Sequence, residues 1–75
     1  MVKIHPAYST ADVAQHVKNR RHQLGLTQTQ LAGLSNTGTR FIVDLESGKE
    51  SIQMGKALHV LKMLGLRLVL EQSDE

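Results

Sequence analysis

The chain has no cysteine at any of its 75 positions. That excludes disulfides and thiolate metal sites as supports for the fold, and it suits a reducing compartment. No apolar run approaches the roughly 20 residues that cross a bilayer. The opening "MVKIHPAYS" lacks the apolar core and small-residue cleavage site of a secretory signal, so the expected location is the cytoplasm and no membrane partner is expected. Catalytic groupings are missing as well. There is no nucleophile with a neighbouring base, no phosphate loop and no paired catalytic carboxylates, which argues against an enzyme. His5, His16, His22 and His59 are scattered, with no third ligand at metal-binding spacing, so no metal or other cofactor is expected.

What remains is one small domain without repeats, linkers or low-complexity segments. A chain of this size buries only about 60% of the surface its unfolded form exposes, so borrowing core from a second subunit is expected. Charge is unevenly spread. Residues 1–62 hold eight Lys/Arg against four acids, a net +4, whereas residues 63–75 hold Arg67 against Glu71, Asp74 and Glu75, a net −2. A basic body with an acidic tail fits an anionic partner for the body, and equally a solvated mixed-charge surface.

The punctuation predicts an N-terminal arm over 1–8 and a helical body over 9–64. Ser9 with Asp12 three residues on reads as a helix start, with Gly25 as the stop. Val13, Val17 and Leu24 recur between them at helical spacing. Thr27 caps a second helix, from Gln28 to about Ser35. Asn36 turns the chain, because Asn tolerates the left-handed conformation. Gly38 opens a third helix, Thr39 to about Glu46, closed by Gly48. Ser51 is expected to start a fourth, with Met54, Ala57, Leu58, Leu61 and Leu64 on its core face and Lys56, His59 and Lys62 opposite. After Gly65, "LRLVLEQ" alternates with period two and predicts a strand over 65–71. A lone strand leaves backbone groups unpaired, so it must pair with the arm or with another chain. Residues 72–75 read as a disordered tail.

The stretch "TQTQLAGLSNTGTRFIVDLESGK" raises the functional question. Leu31, Ala32, Leu34, Ile42 and Leu45 suit a core, yet the polar "SNTGTR" interrupts them. Two short helices joined by a tight turn, the second with a polar outer side, make a helix-turn-helix. Such a motif needs a small residue where the helices meet (Ala32), a left-handed turn (Asn36) and core anchors behind the second helix (Ile42, Leu45). The polar turn then presents a helix to a DNA major groove.

The residues "LGLTQTQLA" followed by "FIVDLESGK" resemble the Xre/Cro family of phage-repressor-type helix-turn-helix domains. The match runs without a gap from Leu24 to Lys49 and extends through the fourth helix to about Leu64. It departs at Asn36, where that family usually has Gly, and at Gly38, where Ser is common. "YSTADVAQHVKNRRHQLGLTQ" with the terminal "LGLRLVLEQ" narrows the resemblance to HipB-like antitoxins. This implies an all-α, lambda-repressor-like domain of four to five helices, with a C-terminal strand pairing across a homodimer. It also implies repression of its own operon at a palindromic operator, and binding to a HipA-like kinase toxin. A phage-type or restriction-controller repressor, and a module that mainly holds a toxin, stay open as alternatives.

The candidate DNA-binding residues follow. Gln28 opens the second helix, where the family contacts DNA; solvent exposure is the plain alternative. Thr39, Arg40, Val43 and Asp44 lie on the outer side of the third helix. Arg40 is either a reader of guanine O6 and N7, a phosphate clamp, or the partner of Asp44 four residues on. Thr39 or Val43 suits a thymine methyl, and Asp44 either accepts from cytosine or orients Arg40. Thr27, Thr37, Gly38 and Lys49 are phosphate candidates. The resemblance implies a structural salt bridge between Arg21 and Glu46. Leu66, Leu68 and Leu70 are the expected dimerisation face. Phe41 suits core packing beside the small Ser35, or a groove wedge.

Overall fold

The structure, a computed structural model, describes residues 1–74. Four helices account for all regular structure among them: α1 Thr10–Gln23, α2 Gln28–Leu34, α3 Thr39–Glu46 and α4 Met54–Met63.

Each start is set locally. Ser9 Oγ accepts the Asp12 N–H at 3.1 Å. The Asp12 carboxylate accepts the N–H of Tyr8 at 2.8 Å, one residue earlier than in the usual capping box. At α2 the box is complete: Thr27 Oγ1 accepts the Gln30 N–H and Gln30 Oε1 accepts the Thr27 N–H.

The four endings share one pattern. The residue after the cap takes a positive φ, and its N–H and the next one reach back to two carbonyls of the last turn. These pairs run from Gly25 and Leu26 to His22 and Arg21, and from Asn36 and Thr37 to Gly33 and Ala32. They recur from Gly48 and Lys49 to Leu45 and Asp44, and from Gly65 and Leu66 to Lys62 and Leu61. This is the Schellman arrangement, which satisfies the orphan carbonyls of a helix end. Asn36, at φ 54°, is the one non-glycine residue there. Gly48, at φ 79°, is constrained twice, because a Cβ would lie 3.1 Å from the Ala11 backbone.

The core is Val17, Leu31, Ala32, Ile42, Leu45, Ala57, Val60, Leu61 and Leu64, with Val13, Leu26, Phe41, Ile52 and Leu66 packed against it. Thr10 Oγ1 donates to the Gly48 carbonyl at 2.8 Å, and Arg20 Nε donates to the Leu64 carbonyl at 2.8 Å. The two ends of α1 thereby hold the end of α3 and the end of α4.

Several expectations change. Helix α4 begins at Met54, not Ser51. The Ile52 N–H bonds to the Lys49 carbonyl, making a turn that tucks Ile52 onto the core before the helix starts. The buried face of α4 is Ala57, Val60, Leu61 and Leu64, while Met54 and Leu58 are exposed. Its apolar residues span more than one stripe, and the core takes the stripe that includes Val60. Leu34 is exposed and Ser35 is buried, because Ser35 stands one turn beyond Leu31 on the inward side. Leu24 is exposed too, having become the cap of α1.

No strand forms among the described residues, and 66–71 has no regular structure. A strand needs a partner for its backbone groups, and this single chain supplies none. Leu66 packs on the core, while Leu68, Val69 and Leu70 are exposed. Glu75, the last position of the expected tail, lies outside the described residues.

Candidate nucleic-acid interface

The inner side of α3 is fixed by charge as well as by packing. Arg21 Nε and Nη2 donate to Glu46 Oε2 and Oε1 at 2.6 and 2.9 Å, and Arg21 Nη1 donates to the Leu26 carbonyl at 2.9 Å. Both side chains are buried, at 10% and 2% exposure. Donation of its hydrogen bonds to Glu46 raises the Arg21 guanidinium above its already high ordinary pKa. Burial works against that rise, and the Glu46 charge adds to it. A group held above its unfolded pKa stabilises the fold at every pH below that value. For Arg21 this covers the whole working range, so the arginine never switches off.

The outer side is arranged differently. The Arg40 side chain is 84% exposed, and its Nε lies 3.2 Å from Asp44 Oδ1. Lys49 Nζ approaches Asp44 Oδ2 at 3.7 Å from the turn after α3. Thr39 is exposed, and Val43 is half-buried beside it. Gly38 provides no capping side chain, so the first N–H groups of α3 have no side-chain acceptor. The α3 start thus offers exposed N–H groups, and Arg40 and Lys49 offer exposed cations on either side of Asp44.

Some candidates take other roles. Gln28 is half-buried, and its Nε2 donates to Glu46 Oε1 at 3.3 Å, so its amide braces the inner pair and leaves its own carbonyl free to accept. The Thr27 oxygen accepts within the capping box, which leaves its hydroxyl proton unused there. Thr37 Oγ1 is buried without a hydrogen-bond partner, as is Ser35 Oγ, so the Thr37 hydroxyl does not point outward. Phe41 packs against the core, with Lys56 Nζ 5.8 Å from its ring centre.

Sequence reasoning missed the Gln28–Glu46 and Lys49–Asp44 contacts. A signal existed for the second. In a Schellman ending the residue after the left-handed position sits over the third-last helical residue, and around Gly48 those are Lys49 and Asp44.

A braced helix with an exposed arginine on its outer side, set behind a tight turn, defines a helix-turn-helix domain. The chain belongs to the helix-turn-helix-type transcriptional regulators. Over 55 residues it is 49% identical to the uncharacterized HTH-type transcriptional regulator y4mF of Sinorhizobium fredii (strain NBRC 101917 / NGR234), covering 73% of this chain and 72% of that one. No protein-family model matches the chain. Among solved structures the fold matches HipB. The HipB–O4 20mer complex aligns with TM-score 0.84 and 24% identity over 95% of this chain and 100% of that one. The HipA–HipB–O2–O3 complex gives the same values. The HipB–O1–O2 complex aligns at 25% identity over 92% of this chain and 100% of that one, again with TM-score 0.84. No helix among the described residues is long and apolar enough to cross a membrane.

Proposed function

We propose that the protein is a sequence-specific DNA-binding repressor that controls its own operon and serves as antitoxin to a HipA-like kinase toxin, in the cytoplasm at the nucleoid. The observation that carries this is α3 itself. Its inner side is locked by the buried Arg21–Glu46 pair, and its outer side holds an exposed Arg40. A helix held this firmly can enter a major groove without losing its register, and Arg40 has the donor geometry to read guanine.

Two subunits would place their α3 helices in successive major grooves about 34–36 Å apart on a palindromic site. The exposed Met54, Leu58, Leu68 and Leu70 offer the apolar surface for that dimer, with residues 66–71 pairing with their copy. Leu66 contributes from its own core rather than from the strand face. Thr27, Gly38, Thr39 and Lys49 would contact phosphates or base edges around Arg40, giving an affinity that falls steeply with salt. The toxin partner is inferred from the likeness to HipB in the HipA–HipB–O2–O3 complex, which spans 95% of this chain.

The test is fluorescence anisotropy with DNA from upstream of the protein's own gene against a scrambled duplex, across a salt series. Much tighter binding to the natural duplex supports the repressor. Equal, weak binding at every salt concentration overturns it. Co-expression with the operon's HipA-like kinase and sizing of the product tests the antitoxin role. A stable complex is expected, and two separate species would leave only the repressor.

A further inference from the structure

We propose that Asp44 is a positioning residue that sharpens base reading at the cost of general DNA affinity, an inference that rests on the DNA-binding role above. Asp44 is the only acid on the outer side of α3, and it sits between two cations from different segments. Oδ1 meets Arg40 Nε at 3.2 Å, and Oδ2 meets Lys49 Nζ at 3.7 Å. The Asp44 carbonyl accepts from Ser47 Oγ at 2.7 Å and from the Lys49 N–H at 3.3 Å, so the backbone that carries the carboxylate is tied to the turn. Its side chain is 20% exposed, against 84% for Arg40 and 52% for Lys49.

This geometry divides the work of Arg40. Asp44 stands nearest to Nε as an ion pair, and the terminal Nη1 and Nη2 atoms remain to face a base. That end-on pair matches guanine O6 and N7. An unbraced arginine at this exposure would serve any phosphate within reach. The same carboxylate offsets the charge of Lys49 and repels phosphate directly, which weakens binding to every sequence alike. Asp44 therefore acts on specificity and affinity in opposite directions. A residue with a purely structural role would move both the same way.

The experiment measures three duplexes by anisotropy: the natural upstream duplex, the same duplex with its guanines replaced one at a time, and the scramble. Wild type, Asp44→Asn, Asp44→Ala, Arg40→Ala and Arg40→Ala with Asp44→Asn are compared, each with a thermal melt. Asp44→Asn removes the charge and Asp44→Ala removes the acceptor as well. Both should bind the scramble about threefold to tenfold tighter, with a salt slope steeper by about 1 for each cation released to a phosphate. Both should also lose roughly threefold to tenfold of the preference for the critical guanine, part of what a bidentate contact contributes. In the Arg40→Ala background the second change should no longer alter guanine preference. If wild type prefers its duplex and both Asp44 variants keep that preference, Asp44 does not position Arg40. If both affinities fall together with the melting temperature, its role is structural and the proposal fails. If wild type shows no preference, the DNA reading itself fails and takes this inference with it.

Discussion

Two arginine–carboxylate pairs meet at α3, Arg21–Glu46 on its inner side and Arg40–Asp44 on its outer side. The inner pair is bidentate, buried and drawn from two helices 25 positions apart. The outer pair spans one turn of a single helix, with Arg40 in water and Asp44 half-buried. The difference lies in what each arginine can still do. Each Arg21 nitrogen already donates to Glu46 or Leu26, and buried there the side chain can only hold the helix. Arg40 keeps its terminal donors and adds little to stability, since exposed pairs at this spacing contribute a few tenths of a kcal/mol.

Mutations can break this contrast or sharpen it. The largest effect is expected for Glu46→Ala, which strands the Arg21 charge and removes the Gln28 contact. Stability should fall by about 3–5 kcal/mol in chemical denaturation, and DNA binding should fall with it although no base contact is touched. Arg40→Ala should give the reverse result. The melting temperature should stay nearly unchanged while discrimination between the natural and scrambled duplex drops by about 1–3 kcal/mol. An Arg40→Ala protein that melts much earlier would erase the distinction between the two sides.

Gly48→Ala loosens the anchored side without touching a charge. The left-handed backbone alone costs about 1–2 kcal/mol, and the Ala11 backbone 3.1 Å from the new Cβ adds to it. Denaturant midpoints will show the loss. The smallest effect should be that of Ser35→Ala, which removes a buried hydroxyl without a partner. Its stability should hold or rise by up to about 1 kcal/mol in a thermal melt. A clear fall would mean that the hydroxyl has a bonded partner in solution.

Much of this arrangement was legible beforehand, for reasons that differ between residues. Caps and stops are local chemistry, so Ser9, Thr27, Asn36 and Gly48 announced the boundaries of three helices. The start of α4 was misread because Ser51 is a good cap by type. Yet the burial of Ile52, a tertiary effect, decides where that helix begins. Leu34 and Ser35 were exchanged for a similar reason: hydrophobicity favours Leu inside, but the one-turn spacing from Leu31 hands the inward place to Ser35. Glu46 could be paired with Arg21 only through a family resemblance, since the two are far apart in sequence. The period-two run after Gly65 signals a strand, and no property of a lone chain says what it pairs with.

The shared form of the four helix endings has a consequence for how the molecule comes together. Each stop is closed by hydrogen bonds that span no more than six consecutive residues. The end of every helix is therefore set locally, only the start of α4 waits for the packing of Ile52, and the search that remains is for the docking of a few short rods. Chains dominated by such nearby contacts fold in microseconds to milliseconds. Stopped-flow refolding of this protein should therefore show its intrachain phase lost in the dead time, leaving only a concentration-dependent step to be timed.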